Sequence, residues 1–128
     1  MVIASDLAAA RQVEQHLLEE VTRYAYSEAA AFSIRLAVEE GLINAIKHGN
    51  GCDPAKVVEV GLDINERRII ISIADQGEGF DPSGVPDPTR DENLEKPCGR
   101  GIMLMRAYMD EVQYNRRGNQ VRMVKNNT

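Results

Sequence analysis

The chain reads as an α+β domain: a two-layer sandwich with helices on one face of a largely antiparallel, mixed sheet. Three observations predict this. Apolar residues recur at helical spacing up to residue 48, the period falls to two from residue 58, and a short helix and a second alternating pair close the chain. The resulting order is α-α-β-β-α-β-β, with a strand stub at Val2–Ile3, which sets helices over a hairpin-built sheet.

The elements follow in order. Ser5 is expected to cap the first helix, with Asp6 in its first turn. Leu7, Ala10, Leu17, Val21 and Tyr24 then give a helix over residues 6–24. Ser27 and Glu28 restart the pattern. The second helix runs over residues 28–48, until Gly49, Asn50, Gly51 and Pro54 stop it. From Ile34 to Ile46, eight of thirteen residues are Ile, Leu, Val or Ala and lie on every side, so this helix is expected to be buried. Yet Glu39, Glu40 and Asn44 sit in its middle, and a buried polar residue is more informative than an exposed apolar one.

Val58, Val60, Leu62 and Ile64 then alternate with polar residues and glycine, Asn65–Arg67 make a turn, and Ile69, Ile71 and Ile73 share one face of a returning strand. Asp75 is in phase with those isoleucines, so it points to the core side at the strand's end. Phe80 to Cys98 holds four of the five prolines without apolar periodicity, and reads as a long loop, either functional or disordered. Ile102, Met105 and Met109 mark a short helix, and Met103, Met105 and Met109 read as core filling. Val112 with Tyr114, and Val121 with Met123, form a closing hairpin across Arg116–Asn119.

Composition narrows the function. At 128 residues the chain is expected to form one domain, residues 1–128, and 43% hydrophobic with 27% charged residues excludes a disordered chain. A net charge of -5 makes the chain a poor candidate for a general nucleic-acid binder, which needs a basic face. No apolar run is long enough for a membrane span, and the N-terminus lacks a basic signal-peptide region. Cys52 and Cys98 form no metal-binding pattern, and a reducing cytoplasm is the expected location.

Three constellations carry chemistry. Glu40 and Asn44, four apart, share a helix face, continued one turn later by Lys47 and His48. Such a set suits a hydrated Mg²⁺ and a phosphate, or equally hydrogen bonds to loop backbone. His48 reads as a hydrogen-bonded helix end. In Asp75–Gly79 (D-Q-G-E-G), a strand-end carboxylate can accept from an exocyclic amine, while Gly77 and Gly79 allow close approach. Gly99, Arg100 and Gly101 open a helix, where free amides and the macrodipole favour an anion.

In this order and on these elements, the segments E-x-x-x-N-A-x-K-H-G, D-x-G-x-G and G-x-G-I resemble the three nucleotide-binding boxes of the GHKL, or Bergerat-fold, ATPases. The likeness runs from Ser5 to Lys125. Within that superfamily, E-E-G-L-I-N-A-I-K-H-G, G-R-G-I-M-L-M-R-A-Y-M-D-E-V and G-N-Q-V-R-M-V-K resemble the anti-sigma regulatory factor serine/threonine kinases. The resemblance implies ATP and Mg²⁺ as cofactors, Asn44 as the metal ligand and Glu40 as general base. It implies Asp75 on the adenine amine, Gly77 and Gly79 flanking the ring, Gly99, Arg100 and Gly101 around the phosphates, and Lys47 near phosphate charge. Asn119 stands where the family often has Thr, beside the adenine-binding Asp, and the loop before Gly99 is unusually acidic.

The function so implied is transfer of the γ-phosphoryl group to a serine or threonine of a STAS-type anti-anti-sigma antagonist, with a sigma factor as second partner and a role in transcription regulation. It leaves a homodimer open. The alternatives are an ATP-gated binding regulator without kinase activity, and a stand-alone histidine-kinase-type catalytic domain.

Overall fold

The elements are β1 (Val2–Ala4), α1 (Leu7–Arg23), α2 (Glu28–Ile43), a π-helical segment (Asn44–Gly49), β2 (Val57–Ile64), β3 (Arg68–Ala74), α3 (Pro97–Tyr108), β4 (Glu111–Tyr114) and β5 (Gln120–Asn126). The computed structural model describes residues 1–77 and 97–127. The five strands form one sheet in the order β1-β2-β3-β5-β4. Each pairing among these described strands is antiparallel, so the sheet lacks the parallel pair that would make it mixed. The two-layer α+β architecture is otherwise as the sequence predicts.

Asp6, not Ser5, caps α1: its Oδ1 accepts the Ala9 N–H at 2.7 Å. Ser5 is buried, and its hydroxyl donates to the Lys56 carbonyl at 2.8 Å. Ser and Asp are equally good caps by type, so burial next to the start of β2 decides between them. At its other end α1 closes with two reversed bonds, Tyr26 N–H to the Val21 carbonyl and Ala25 N–H to the Thr22 carbonyl. Ala25 takes φ 56° there, a position glycine usually fills. A Cβ in left-handed backbone costs about 1–2 kcal/mol, and glycine's extra freedom in the unfolded chain offsets about 0.4–1 of that. Ala25→Gly is therefore expected to raise stability by about 0.5–1 kcal/mol. The check is a urea melt with an unchanged slope and a higher midpoint; a lower midpoint would show that the methyl group is not the source of strain.

Ser27 caps α2 by accepting the Ala30 N–H. The apolar set Ile34, Val38 and Leu42 is fully buried and shares one core with Ile69, Ile71 and Ile73 of β3 and Met123 of β5. Gly41 permits this approach: a Cβ there would lie 2.8 Å from Ile73 Cδ1. That contact offsets the roughly 1 kcal/mol that glycine costs inside a helix. The expected single helix over residues 28–48 changes pitch at Asn44. The Asn50 N–H reaches back five residues to the Ala45 carbonyl at 2.8 Å. Such short π segments occur frequently at functional sites.

Ile102 and Met105 of α3, and Met109 just past its end, are buried in the core, whereas Met103 is exposed rather than in the core. Of the proline-rich stretch expected to be loop, residues 80–96 lie outside the described residues. Pro97 and Cys98 already belong to α3, where proline's missing N–H costs nothing in the first turn.

Candidate functional site

Gly41, Asn44, Ala45, His48 and Gly49 recur at helical spacing and form one wall of a cavity. Asp75 and the β4–β5 hairpin, through Tyr114, Asn119 and Val121, form the other. The volume is about 160 Å³. A single water needs about 10–15 Å³, so the space accommodates a ring rather than one solvent molecule.

Asp75 sits just past the end of β3. Its N–H donates to the Asn119 carbonyl at 2.9 Å, extending the β3–β5 ladder by one bond. Its Oδ1 accepts the Gly77 N–H at 2.8 Å. Burial pushes this carboxyl above the usual carboxylate range, while the Gly77 N–H and the Lys56 charge pull it back. Two glycines make the site compact. A Cβ on Gly49 would overlap the Asp75 carboxylate, and one on Gly77 would overlap the Gly49 carbonyl oxygen. The helical wall and the strand end thus meet backbone to side chain.

The hairpin turn is shaped by Asn115, whose Oδ1 accepts N–H groups from Gly118 at 2.8 Å and Asn119 at 3.1 Å. Gly118 has φ 79° there. Asn119 borders the cavity, and its Nδ2 reaches the Gly77 carbonyl at 3.5 Å.

A second cluster adjoins the first. Asn44 Oδ1 and Nδ2 and Glu40 Oε2 all end within 3.2 Å of the point a Gly101 Cβ would occupy. The absent side chain of Gly101 lets α3 cross directly over Glu40 and Asn44. Asn44 lines the cavity; Glu40 is not among its lining residues. Asn44 Nδ2 is buried and finds no hydrogen-bond partner among the described residues. A buried amide without a partner costs about 1–3 kcal/mol, and a ligand at this spot would relieve that cost. The oxygens of Asn44 and Glu40 are hard donors of the kind Mg²⁺ takes. No group of three or more His, Cys, Asp or Glu able to hold a metal occurs among the described residues. An ion here would therefore rely on one or two protein ligands together with ligand phosphates, the usual habit of Mg²⁺.

Of the other residues singled out in the sequence, Gly99 and Arg100 fall in the first turn of α3. Gly79 lies outside the described residues. Lys47 is exposed and lies off the cavity wall, which His48 lines instead. Sequence reasoning assigned Tyr114, Asn50 and Gln76 no part in the site, and it marked His48 as a helix end rather than as the cavity wall it lines. Tyr114 had a signal, being in phase with Val112 on the inner face of its strand. Asn50, between two glycines, reads only as a helix stop.

The sequence of residues 3–125 matches the family model described as the histidine kinase-like ATPase domain. The chain is 31% identical to the serine-protein kinase RsbW of Oceanobacillus iheyensis over 99 residues, 73% of this chain and 63% of that one. It is 29% identical to the serine/threonine-protein kinase BtrW of Bordetella bronchiseptica, covering 72% and 66%. It is 36% identical to the anti-sigma F factor of Clostridium perfringens over 83 residues, 62% of this chain and 59% of that one. The chain thus spans a little under two thirds of the length of these relatives. In fold, it is similar to the crystal structure of the RsbU and RsbW domains of Rv1364c from Mycobacterium tuberculosis. That match has a TM-score of 0.63 at 18% identity, over 98% of this chain and 30% of that one. With the family's match running almost end to end, and the cavity built from the segments that carry the likeness, the chain belongs to the histidine kinase-like ATPase domain family.

Proposed function

We propose that residues 1–128 form a single histidine-kinase-like domain acting as a serine/threonine protein kinase of the anti-sigma factor type. Its substrates would be Mg·ATP and an antagonist protein. One juxtaposition carries the reading: Asp75 and Asn44 line the same cavity, and Glu40 meets Asn44 under Gly101. The names of the relatives support the kinase and anti-sigma parts.

In this reading Asp75 accepts a hydrogen bond from the adenine amine, with Gly77, Gly79 and Asn119 around the ring. The N-terminal end of α3, with Gly99, Arg100 and Gly101, takes the phosphate oxygens, helped by the helix dipole. Asn44 contributes its amide oxygen to Mg²⁺, which when bound neutralises phosphate charge. Lys47 adds positive charge nearby. Glu40 accepts the proton of the acceptor hydroxyl as that oxygen bonds to the γ-phosphorus. The bond from phosphorus to the bridging oxygen breaks, and ADP leaves. The acceptor is a STAS-type antagonist, the second partner a sigma factor, and the setting the cytoplasm.

The test is incubation with γ-labelled ATP and a STAS-type antagonist. Acid-stable label on a serine or threonine is the expected result. Acid-labile label on a histidine would point instead to histidine-kinase chemistry. ATP-dependent association without label would make the chain a binding regulator.

A further inference from the structure

We infer that Asn50 is a positioning residue that sets the preference for adenine over guanine, by fixing the turn that carries Asp75. The inference rests on the nucleotide-binding reading above. Asn50 is 2% exposed. Its side chain spends every near hydrogen-bonding group on a different piece of the chain. Oδ1 accepts the Gln76 N–H at 2.7 Å. Nδ2 donates to Ser5 Oγ at 2.8 Å and to the Val57 carbonyl at 2.9 Å. Its own N–H donates to the Ala45 carbonyl in the π-helical segment. One buried residue therefore joins the cavity's helical wall to the start of β2, the end of β1 and the turn after β3.

Gln76 is the residue between Asp75 and Gly77, and it is held twice. Its N–H is on Asn50, and its Oε1 accepts the Val57 N–H at 2.8 Å. Discrimination needs this rigidity. Adenine presents a donor where guanine presents a carbonyl, and Asp75 Oδ1 lies only 2.8 Å from the Gly77 N–H. If the turn rotates, the Gly77 donor can face the ligand in place of the carboxylate, and guanine becomes acceptable. Asn50 blocks that rotation through the N–H between them. Asn50 itself is buried, its bond to Ser5 fully and those to Gln76 and Val57 partly so, which makes them costly to leave unmade; the Val57–Gln76 bond is exposed and holds the turn less firmly.

Three variants separate positioning from mere stability. Asn50→Ser removes the acceptor for Gln76. Asn50→Asp keeps that acceptor but loses both donated bonds. Ser5→Ala removes a partner of Asn50 without touching Gln76. Each is compared with the unsubstituted chain in thermal midpoint, in amide exchange of Gln76 and Gly77, and in affinity for Mg·ATP and Mg·GTP. All three are expected to melt lower. Only Asn50→Ser should speed exchange at Gln76 and Gly77 selectively, weaken ATP at least roughly tenfold and bring the ATP-to-GTP ratio towards one. Asn50→Asp should keep most of that ratio. Selectivity that falls in step with melting temperature across all three variants, or that survives Asn50→Ser, overturns the inference. If the unsubstituted chain binds neither nucleotide, the functional reading fails, and the exchange data alone then decide whether Asn50 fixes the turn.

Discussion

Glu40→Ala is expected to bind Mg·ATP almost as the unsubstituted chain does, and to transfer phosphoryl groups about 10²–10⁴-fold more slowly. The separation follows from position. Glu40 is not among the residues lining the cavity, so the ring-binding surface does not include it. Its Oε2 instead meets Asn44 beneath Gly101. A proton acceptor acts only on the hydroxyl, and positioning and electrostatics carry the rest of phosphoryl transfer. Asn44→Ala should show the reverse order of effects, losing Mg·ATP binding first. It should also fold, because the amide nitrogen it removes has no partner to lose among the described residues. The readouts are calorimetric titration of each variant and a labelled-ATP assay with the antagonist. Transfer by Glu40→Ala at the unsubstituted rate would remove Glu40 from the chemistry.

Asp75→Asn should lower ATP affinity by about 10–150-fold, the equivalent of about 1.5–3 kcal/mol for a hydrogen bond to a charged group. The nucleotide-free protein should respond in the opposite sense. Burial raises the Asp75 carboxyl above its ordinary range, so the folded state holds its proton more tightly than the unfolded chain. Stability from this group is full below the ordinary carboxylate pKa and is lost as pH rises through the raised folded value. Asparagine resembles the protonated form and keeps an acceptor for the Gly77 N–H. Asp75→Asn should therefore match the unsubstituted chain at about pH 3 and exceed it at about pH 7. Glu14 is also raised, chiefly by burial, but it is present in both proteins and cancels. Urea melts across that range check the sign; a variant less stable at neutral pH would mean that the carboxylate's partners outweigh its burial.

Much of the site was legible because it follows from period and phase. The isoleucines of β3 fix which face is inward, and Asp75 continues their phase, so its approach to the core could be read before any coordinates. Glu40 and Asn44 share a helix face for the same reason. What was not legible depends on non-local packing. His48 follows Asn44 by four positions, so its place on the wall was open to reading, but no side-chain pattern reports the change of pitch over Asn44–Gly49. The choice of Asp6 over Ser5 as cap is made by the neighbourhood of Lys56, 51 positions away. Asn50 looks like punctuation between Gly49 and Gly51, yet it bonds Ser5, Val57 and Gln76. The sheet was expected to be mixed, whereas the described register is antiparallel at every pair.

Whether this cavity reads an adenine turns on one calorimetric experiment: titration of Mg·ATP and of Mg·GTP into the unsubstituted chain, repeated with Asp75→Asn. A carboxylate facing a carbonyl leaves a buried charged acceptor unpaired, at a cost of about 1–3 kcal/mol or more. ATP should therefore bind at least roughly tenfold more tightly than GTP, and that preference should disappear in Asp75→Asn. Equal affinity for the two nucleotides, or a preference for ATP that persists in Asp75→Asn, would contradict adenine recognition by Asp75.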